Sequence, residues 1–438
     1  MSKYPSEPFA NFIDKIIDFR GRTPKKLGMD WGGGEIRALS ANNVEMGKIN
    51  FEKECYLGSE KLYNKWMNRG DCSESDVVMT MEAPLGNIAQ IPDDKKYILS
   101  QRTVLFKTKK EKILNDYFYY LLSGDEFQRE LQNNATGTTA KGIQQKKLLK
   151  IDISAPKSLN KQKKISAILK SVDKCITQTE ETISKLQKIK TGLMQDLFTR
   201  GVDANGKLRP SYDEKPELYK SSPLGMIPKE WDCPKIVDIK VCLIDGDRGP
   251  NYPKSDDLKA SGYCLFLNAG NVTQSGYDFS ECQFITKEKD NVLRKGKVLK
   301  GDIVLTTRGT VGNMAITSID TPFENIRINS GMIILRNEEK RLKTDFLYHS
   351  LDKYIFQKEF IKLVSGSAQP QLPVADFKKF PVLIPGEIEQ DEILKKINSF
   401  SATLDEEFKF LRKLQKAKNG LMQDLLTGKV EVKVDKDE

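Results

Sequence analysis

The sequence predicts an α+β protein built by tandem duplication, in which a globular unit of short strands and helices is followed by a long helix, and the pair then occurs again. Two observations carry this reading. The segment KLQKIKTGLMQDLFT at 185–199 returns as KLQKAKNGLMQDLLT at 413–427, identical at 12 of 15 positions and displaced by 228 residues. Two stretches, starting near 160 and near 388, also carry apolar residues spaced alternately by four and three, the pattern of a coiled-coil helix.

Weaker echoes spread the duplication along the chain. Asp76–Thr80 matches Asp302–Thr306, Gly86-Asn87 matches Gly312-Asn313, and Leu39–Val44 parallels Leu267–Val272. Asp116–Tyr119 with Phe127 and Gln128 parallels Asp345–Tyr348 with Phe356 and Gln357, and Thr136-Gly-Thr138 parallels Ser365-Gly-Ser367. The offsets stay between 226 and 229, so loop changes of a few residues account for them. A unit of this size repeated twice favours a pseudo-two-fold arrangement over a solenoid.

The expected boundaries are a first globular domain at 1–158, a first long helix at 159–200, a linker at 201–222, a second globular domain at 223–387, a second long helix at 388–428 and a tail at 429–438. In the globular parts, Asp302–Thr307 and Gly331–Leu335 read as buried strands, and Ile113–Asn133 and Asp345–Val364 as helices. In the first long helix the stripe is Ile165, Leu169, Val172, Ile176, Ile183, Leu186, Leu193 and Leu197, with Thr179 and Lys190 at the two missing steps. In the second it is Ile393, Ile397, Phe400, Leu404, Leu411, Leu414, Leu421 and Leu425. A helix of this kind would be roughly 57 Å long. A narrow stripe cannot bury itself, so the two helices are expected to pack on each other as an antiparallel coiled coil. The linker, rich in Gly, Pro, Lys and Asp, reads as exposed.

Composition narrows the function. The chain of 438 residues carries a net charge of +10, which favours an acidic partner, nucleic acid first. The charge is concentrated: between Lys141 and Lys164 eight lysines face one acid, Asp152. No membrane-length apolar run or signal-like start occurs, so a cytoplasmic protein with no membrane partner is expected. The seven cysteines have no Cys-x-x-Cys spacing and read as reduced, mostly buried small side chains. The single histidine, His349, aligns with Tyr120 and reads as a packed aromatic position. One histidine, no phosphate-loop motif and no Asn/Asp-Pro-Pro-Tyr tetrad leave no support for catalysis, metal or cofactor in this chain. Binding is the better reading: two diverged basic domains on a rigid spacer, each reading a few base pairs of double-stranded DNA, with unlike half-sites because the domains differ. Centres roughly 34 Å apart would meet one face of the duplex.

Polar residues in Gly-rich turns near strand ends are the candidate DNA contacts, since Arg suits guanine and Asn or Gln suits adenine. In the first domain these are Arg20, Arg22, Asn42, Asn43, Thr138, Thr139 and Lys141, with Lys146 and Lys147 from the basic run. In the second they are Arg248, Asn268, Asn271, Arg308, Ser367 and Gln369. The repeated helix ends suggest one surface shown to two copies of one partner, with Leu193, Met194, Leu197, Leu421, Met422 and Leu425 as its candidate residues.

Several stretches resemble one family. They are SPLGMIPKEW at 222–231, KGDIVLTTRGTVG at 300–312, Leu372-Pro373 with FPVLIP at 380–385 and Gln390, and GLMQDL at 192–197 with its copy. Over essentially its full length the chain resembles the specificity subunits of type I restriction-modification enzymes. The resemblance implies two target-recognition domains and two conserved helices. It further implies docking of two methyltransferase subunits that bring S-adenosylmethionine and methylate adenine, joined by restriction subunits that use ATP and Mg, with no cofactor on this chain. The first unit departs from the pattern: it lacks the Ile-Pro-x-x-Trp opening, and Glu82-Ala-Pro84 stands where the second unit has Arg308-Gly-Thr310. The alternatives are a stand-alone double-stranded DNA-binding protein without enzymatic partners, and a metal-dependent nuclease.

Overall fold

The computed structural model describes residues 2–137, 140–363 and 371–433, with the backbone alone at 353, 357 and 361–363. The chain forms two compact units, one of residues 1–182 with 407–438 and one of residues 183–406. Both boundaries fall inside the long helices, Leu159–Thr199 and Glu387–Leu426.

In the first unit a four-stranded antiparallel sheet has the order Ile13–Asp18, Thr103–Thr108, Val77–Met81, Leu85–Gln90. A smaller sheet pairs Ile36–Leu39 in parallel with Tyr97–Leu99 and antiparallel with Leu57–Gly58. Strand Val77–Met81 is buried along its whole length, which is why it shows no alternation in sequence. Val77, Met79 and Met81 face one apolar cluster with the helices, while Val78 faces another with the small sheet.

The second unit repeats this plan. The larger sheet runs Val241–Asp245, Met332–Asn337, Ile303–Thr306, Met314–Ile316. In the smaller one, Cys264–Leu267 pairs in parallel with Ile326–Ile328, as its counterpart does. Ile303 and Leu305 face the helices, and Val304 faces the small sheet.

The two long helices run antiparallel within each unit. In the first, Ile165 and Leu169 share a core with Leu425 and Leu426, and Lys418 Nζ reaches Asp173 Oδ1 at 2.6 Å. In the second, Leu197 and Phe198 share a core with Ile393 and Ile397, and Lys190 Nζ reaches Ser401 Oγ at 3.0 Å. The duplication carries Lys190 onto Lys418 and Asp173 onto Ser401, so the two polar contacts are copies of one another.

Three expectations need correction. The helix expected over 113–133 breaks at Gly124 into Asn115–Ser123 and Asp125–Asn133, because Gly124 is extended at ψ 152°. Its counterpart has no glycine there and absorbs the change in a π turn, Leu351–Ile355, between Thr344–Ser350 and Phe356–Leu363. The 201–222 stretch is not an exposed linker. Val202 joins the core of the second unit, Arg209 forms an ion pair with Glu389, and Tyr219–Ser222 is a strand paired with Gly225–Pro228. The seven cysteines are free, but only Cys264 is buried; Cys175 and Cys242 are exposed and the rest lie half-buried. Burial pushes the Cys264 thiol up to about 12, which leaves it unreactive.

Candidate nucleic-acid interface

In each unit, four connections meet at one end of the larger sheet. In the first they are the bend 40–43, the hairpin 82–84, the turn 101–102 and the stretch around Gly142. Backbone hydrogen bonds hold them together. The Ala41 amide donates to Gln101 O (3.2 Å), Met81 to Arg102 O (2.8 Å) and Ile143 to Met81 O (3.1 Å). Between them lies an open concavity of about 400 Å³, lined by Asn42, Lys53, Pro84, Gln101 and Arg102 among others. The second unit repeats the last two of these ties: Thr307 donates to Gly331 O (2.8 Å) and Leu372 to Thr307 O (3.1 Å). Behind each hairpin, matching asparagines fix the loops, with Asn87 Nδ2 donating to Val44 O and Asn313 Nδ2 to Val272 O, both at 2.9 Å.

The frame sorts the candidate residues. Arg308 stands exposed at the tip of the second hairpin. Arg248 reaches the facing turn, donating to Ser330 O at 3.3 Å and to Asp245 Oδ1 at 3.2 Å. Asn42 and Lys141 are exposed at the first cluster, and Lys146 and Lys147 are exposed on the short helix Gln145–Leu148 that follows it. Asn268 is half-buried and its side chain caps Gly270 N at 2.8 Å.

Four candidates are occupied by the fold. Asn43 and Asn271 are buried, at 1% and 2% exposure. Asn271 Oδ1 accepts from Asn268 N, and its Nδ2 donates to Asp278 O and Glu281 O at 3.0 and 2.7 Å. Asn43 accepts from Ser40 and donates toward Asn50 O, Lys53 O and Glu54 O in the same way. These amides staple their own loops and have no group left for a base edge. Arg20 forks onto Asp18, with Nη2 to Oδ2 at 2.6 Å. Arg22 donates to Trp66 O and Asn68 Oδ1 and lies 5.0 Å from the Phe19 ring centroid, which ties down a loop rather than projecting a reader. Thr138, Thr139, Ser367 and Gln369 lie outside the described residues.

Sequence reasoning missed Arg102 and its neighbour Gln101. The signal was there: the pair interrupts two apolar runs, Tyr97–Leu99 and Thr103–Phe106, as a turn.

The candidate partner residues also need correction. Met194, Leu197 and Leu425 are buried in the core of their own units, and Leu193, Leu421 and Met422 pack against it. The stripe that recurs is the one the coiled coil consumes. What the repeat leaves exposed is Lys185, Gln187, Lys188, Gly192 and Gln195, with their copies Lys413, Gln415, Lys416, Gly420 and Gln423.

A family model described as the type I restriction modification DNA specificity domain matches residues 13–188 and again 228–415. The chain belongs to this family. As a type I specificity subunit it is a DNA-recognition component without catalytic activity of its own. It is 27% identical over 370 residues to the type I restriction enzyme MjaVIII specificity subunit of Methanocaldococcus jannaschii, covering 82% of this chain and 80% of that one. It is 24% identical to the Escherichia coli EcoBI specificity subunit, covering 75% of this chain and 68% of that one. Two solved structures share the fold. One is the S subunit of the M. genitalium type I restriction-modification system, with TM-score 0.55, 16% identity, and 97% and 96% of the two chains covered. The other comes from a study of complex assembly and conformational transition of the type I system, with TM-score 0.61, 14% identity and 98% of both chains covered. Specificity subunits of this family work with DNA and with methyltransferase and restriction subunits. No helix among the described residues is long and apolar enough to cross a membrane.

Proposed function

We propose that each globular domain of this specificity subunit reads one half of an asymmetric, bipartite double-stranded DNA target. The long helices set the spacing between the halves and dock two copies of a methyltransferase subunit, which supply S-adenosylmethionine and methylate adenine. Restriction subunits using ATP and Mg complete the assembly.

One observation carries this reading: the two units keep the same loop frame and change what it displays. Asn87 and Asn313, Asn43 and Asn271, and the ties from Ile143 and Leu372 are preserved. At the tips, Glu82 is replaced by Arg308, Arg102 by Gly331 and Asn42 by Gly270. A constant scaffold with divergent tips is what two readers of different sequences require. For docking, the exposed outer face of the repeated helix ends, Lys185 to Gln195 with its copy, offers the same surface twice.

Replacing residues 201–387, which include the paired strand Tyr219–Ser222, by a second copy of 1–158 tests the division of labour. The target methylated by the complex should become an inverted repeat of one original half-site. An unchanged asymmetric target would overturn the proposal.

A further inference from the structure

We propose that Arg102, on the strand turn, is the guanine-reading side chain of the first unit, and that Arg308, on the hairpin, is its counterpart in the second. This rests on the half-site reading above and assigns a residue to it.

The backbone is the first observation. Arg102 has φ +65°, in the left-handed region where a Cβ is penalised and glycine or asparagine is the ordinary solution. The side chain returns nothing to the core. It is about half exposed, and its one ion pair, Nε to Glu82 Oε1 at 3.6 Å, is equally exposed. A strained position kept without packing benefit points to function.

Position is the second. Arg102 and Gln101 form one wall of the concavity of about 400 Å³, with Asn42 and Lys53 also lining it. Glu82 lies toward the Nε side. Among the described residues, the two Nη groups have no hydrogen-bond partner, and they form the fork that matches guanine O6 and N7.

The third is the comparison between units. Gly331 replaces Arg102 in the second unit, and a Cβ built there would lie 3.6 Å from Arg308 Cβ. Turn and hairpin therefore face each other at contact distance. Of the two facing positions, each unit fills one with arginine: the turn in the first unit and the hairpin in the second. The guanidinium is retained while the wall that bears it changes, which places it over a different base-pair step in each half-site.

The test uses full-length alleles, wild type, R102G, R102K and R308A, each as the only copy in the host, with methylated adenines mapped across the genome. R102G relieves the left-handed strain and should melt no lower than wild type, so a change in its target is not a folding defect. R102K keeps the charge but loses the fork. Both should relax one G·C pair in one half of the target, with roughly a ten-fold or greater loss of discrimination there and none in the other half. R308A should relax the other half alone. An unchanged target in R102G would overturn the assignment. So would a loss spread evenly over both halves, which marks a phosphate contact. If the wild-type allele imposes no bipartite target, the proposed function itself falls, and the assignment with it.

Discussion

Gln162 and Gln390 make the same three hydrogen bonds, one in the first turns of each long helix. Gln162 Nε2 donates to Lys112 O (2.8 Å) and Pro156 O (2.9 Å), while its Oε1 accepts from Leu114 N (2.9 Å). Gln390 Nε2 donates to Arg341 O (2.8 Å) and Pro385 O (2.9 Å), and its Oε1 accepts from Lys343 N (2.8 Å). Both side chains are fully buried. Each pins the head of a long helix to the loop that follows the last strand of the large sheet and to the segment that leads into the helix.

Removing either glutamine takes the partner from one buried carbonyl and from a half-buried amide and carbonyl. Gln162→Ala and Gln390→Ala should each destabilise their unit by about 2–4 kcal/mol, an unsatisfied buried group costing about 1–3 kcal/mol. Denaturant unfolding of the variants checks this. A loss below about 1 kcal/mol in both would show that water replaces the staple.

Glu389 is the second anchor of the second helix. Its carboxylate accepts from Val202 N and Trp231 Nε1, both at 2.9 Å, and pairs with Arg209, whose side chain is only 14% exposed. Gly201, at φ +63°, is required beside it, because a Cβ there would collide with Glu389 and Trp231. Glu389→Ala leaves Arg209 with only the longer contact to the exposed Glu230 at 3.4 Å, and should cost about 3 kcal/mol in thermal or denaturant unfolding, the low end for a broken buried pair. Lys161 occupies the corresponding place in the first unit, so that unit's melting should be unaffected.

Acid should weaken the second unit through Asp290. Burial pushes this carboxyl up, but hydrogen bonds and charge from Arg327 and Lys297 outweigh it, and the net shift is downward. A carboxyl held below its unfolded value of about 3.9 contributes its stability fully above that pH. The contribution is lost as pH falls through the lower folded value. Unfolding curves for wild type should therefore steepen in their loss of stability below about pH 4. Asp290→Asn should be less stable at neutral pH and show a flatter profile in the acid range.

Lys146 and Lys147 are exposed on the short helix beside the first loop cluster. As phosphate contacts they should act on all sequences alike. Lys146→Ala with Lys147→Ala should lower affinity uniformly and reduce the slope of log K against log salt by about two, one for each phosphate lost. A change in base preference would place them at base edges instead.

The duplication was legible because identity at 185–199 and 413–427 exceeds what any local pattern requires. The helices were legible from the spacing of Ile165 through Leu197 and Ile393 through Leu425, whose members all end up buried or half-buried. Strand pairing was not: Val77–Met81 and Ile303–Thr306 are covered on both faces, so neither shows which side faces the helices. The interface was half legible. A polar residue in a Gly-rich turn has the same signature whether it reads a base or holds the turn, and burial decided between them for Asn43 and Asn271. Arg102 was overlooked because an arginine between two apolar runs looks like an ordinary turn, and only its left-handed backbone sets it apart. At the helix ends, the apolar identity that suggested a partner serves the coiled coil, and the polar identity beside it remains on the surface.

The most direct measurement of the central claim is deletion of this gene in its native host, followed by genome-wide mapping of methylated adenines. The expected result is loss of methylation at one asymmetric bipartite motif, with every other motif untouched and full restoration by the wild-type allele. Unchanged methylation at all motifs, in a host that expresses the gene, would contradict it.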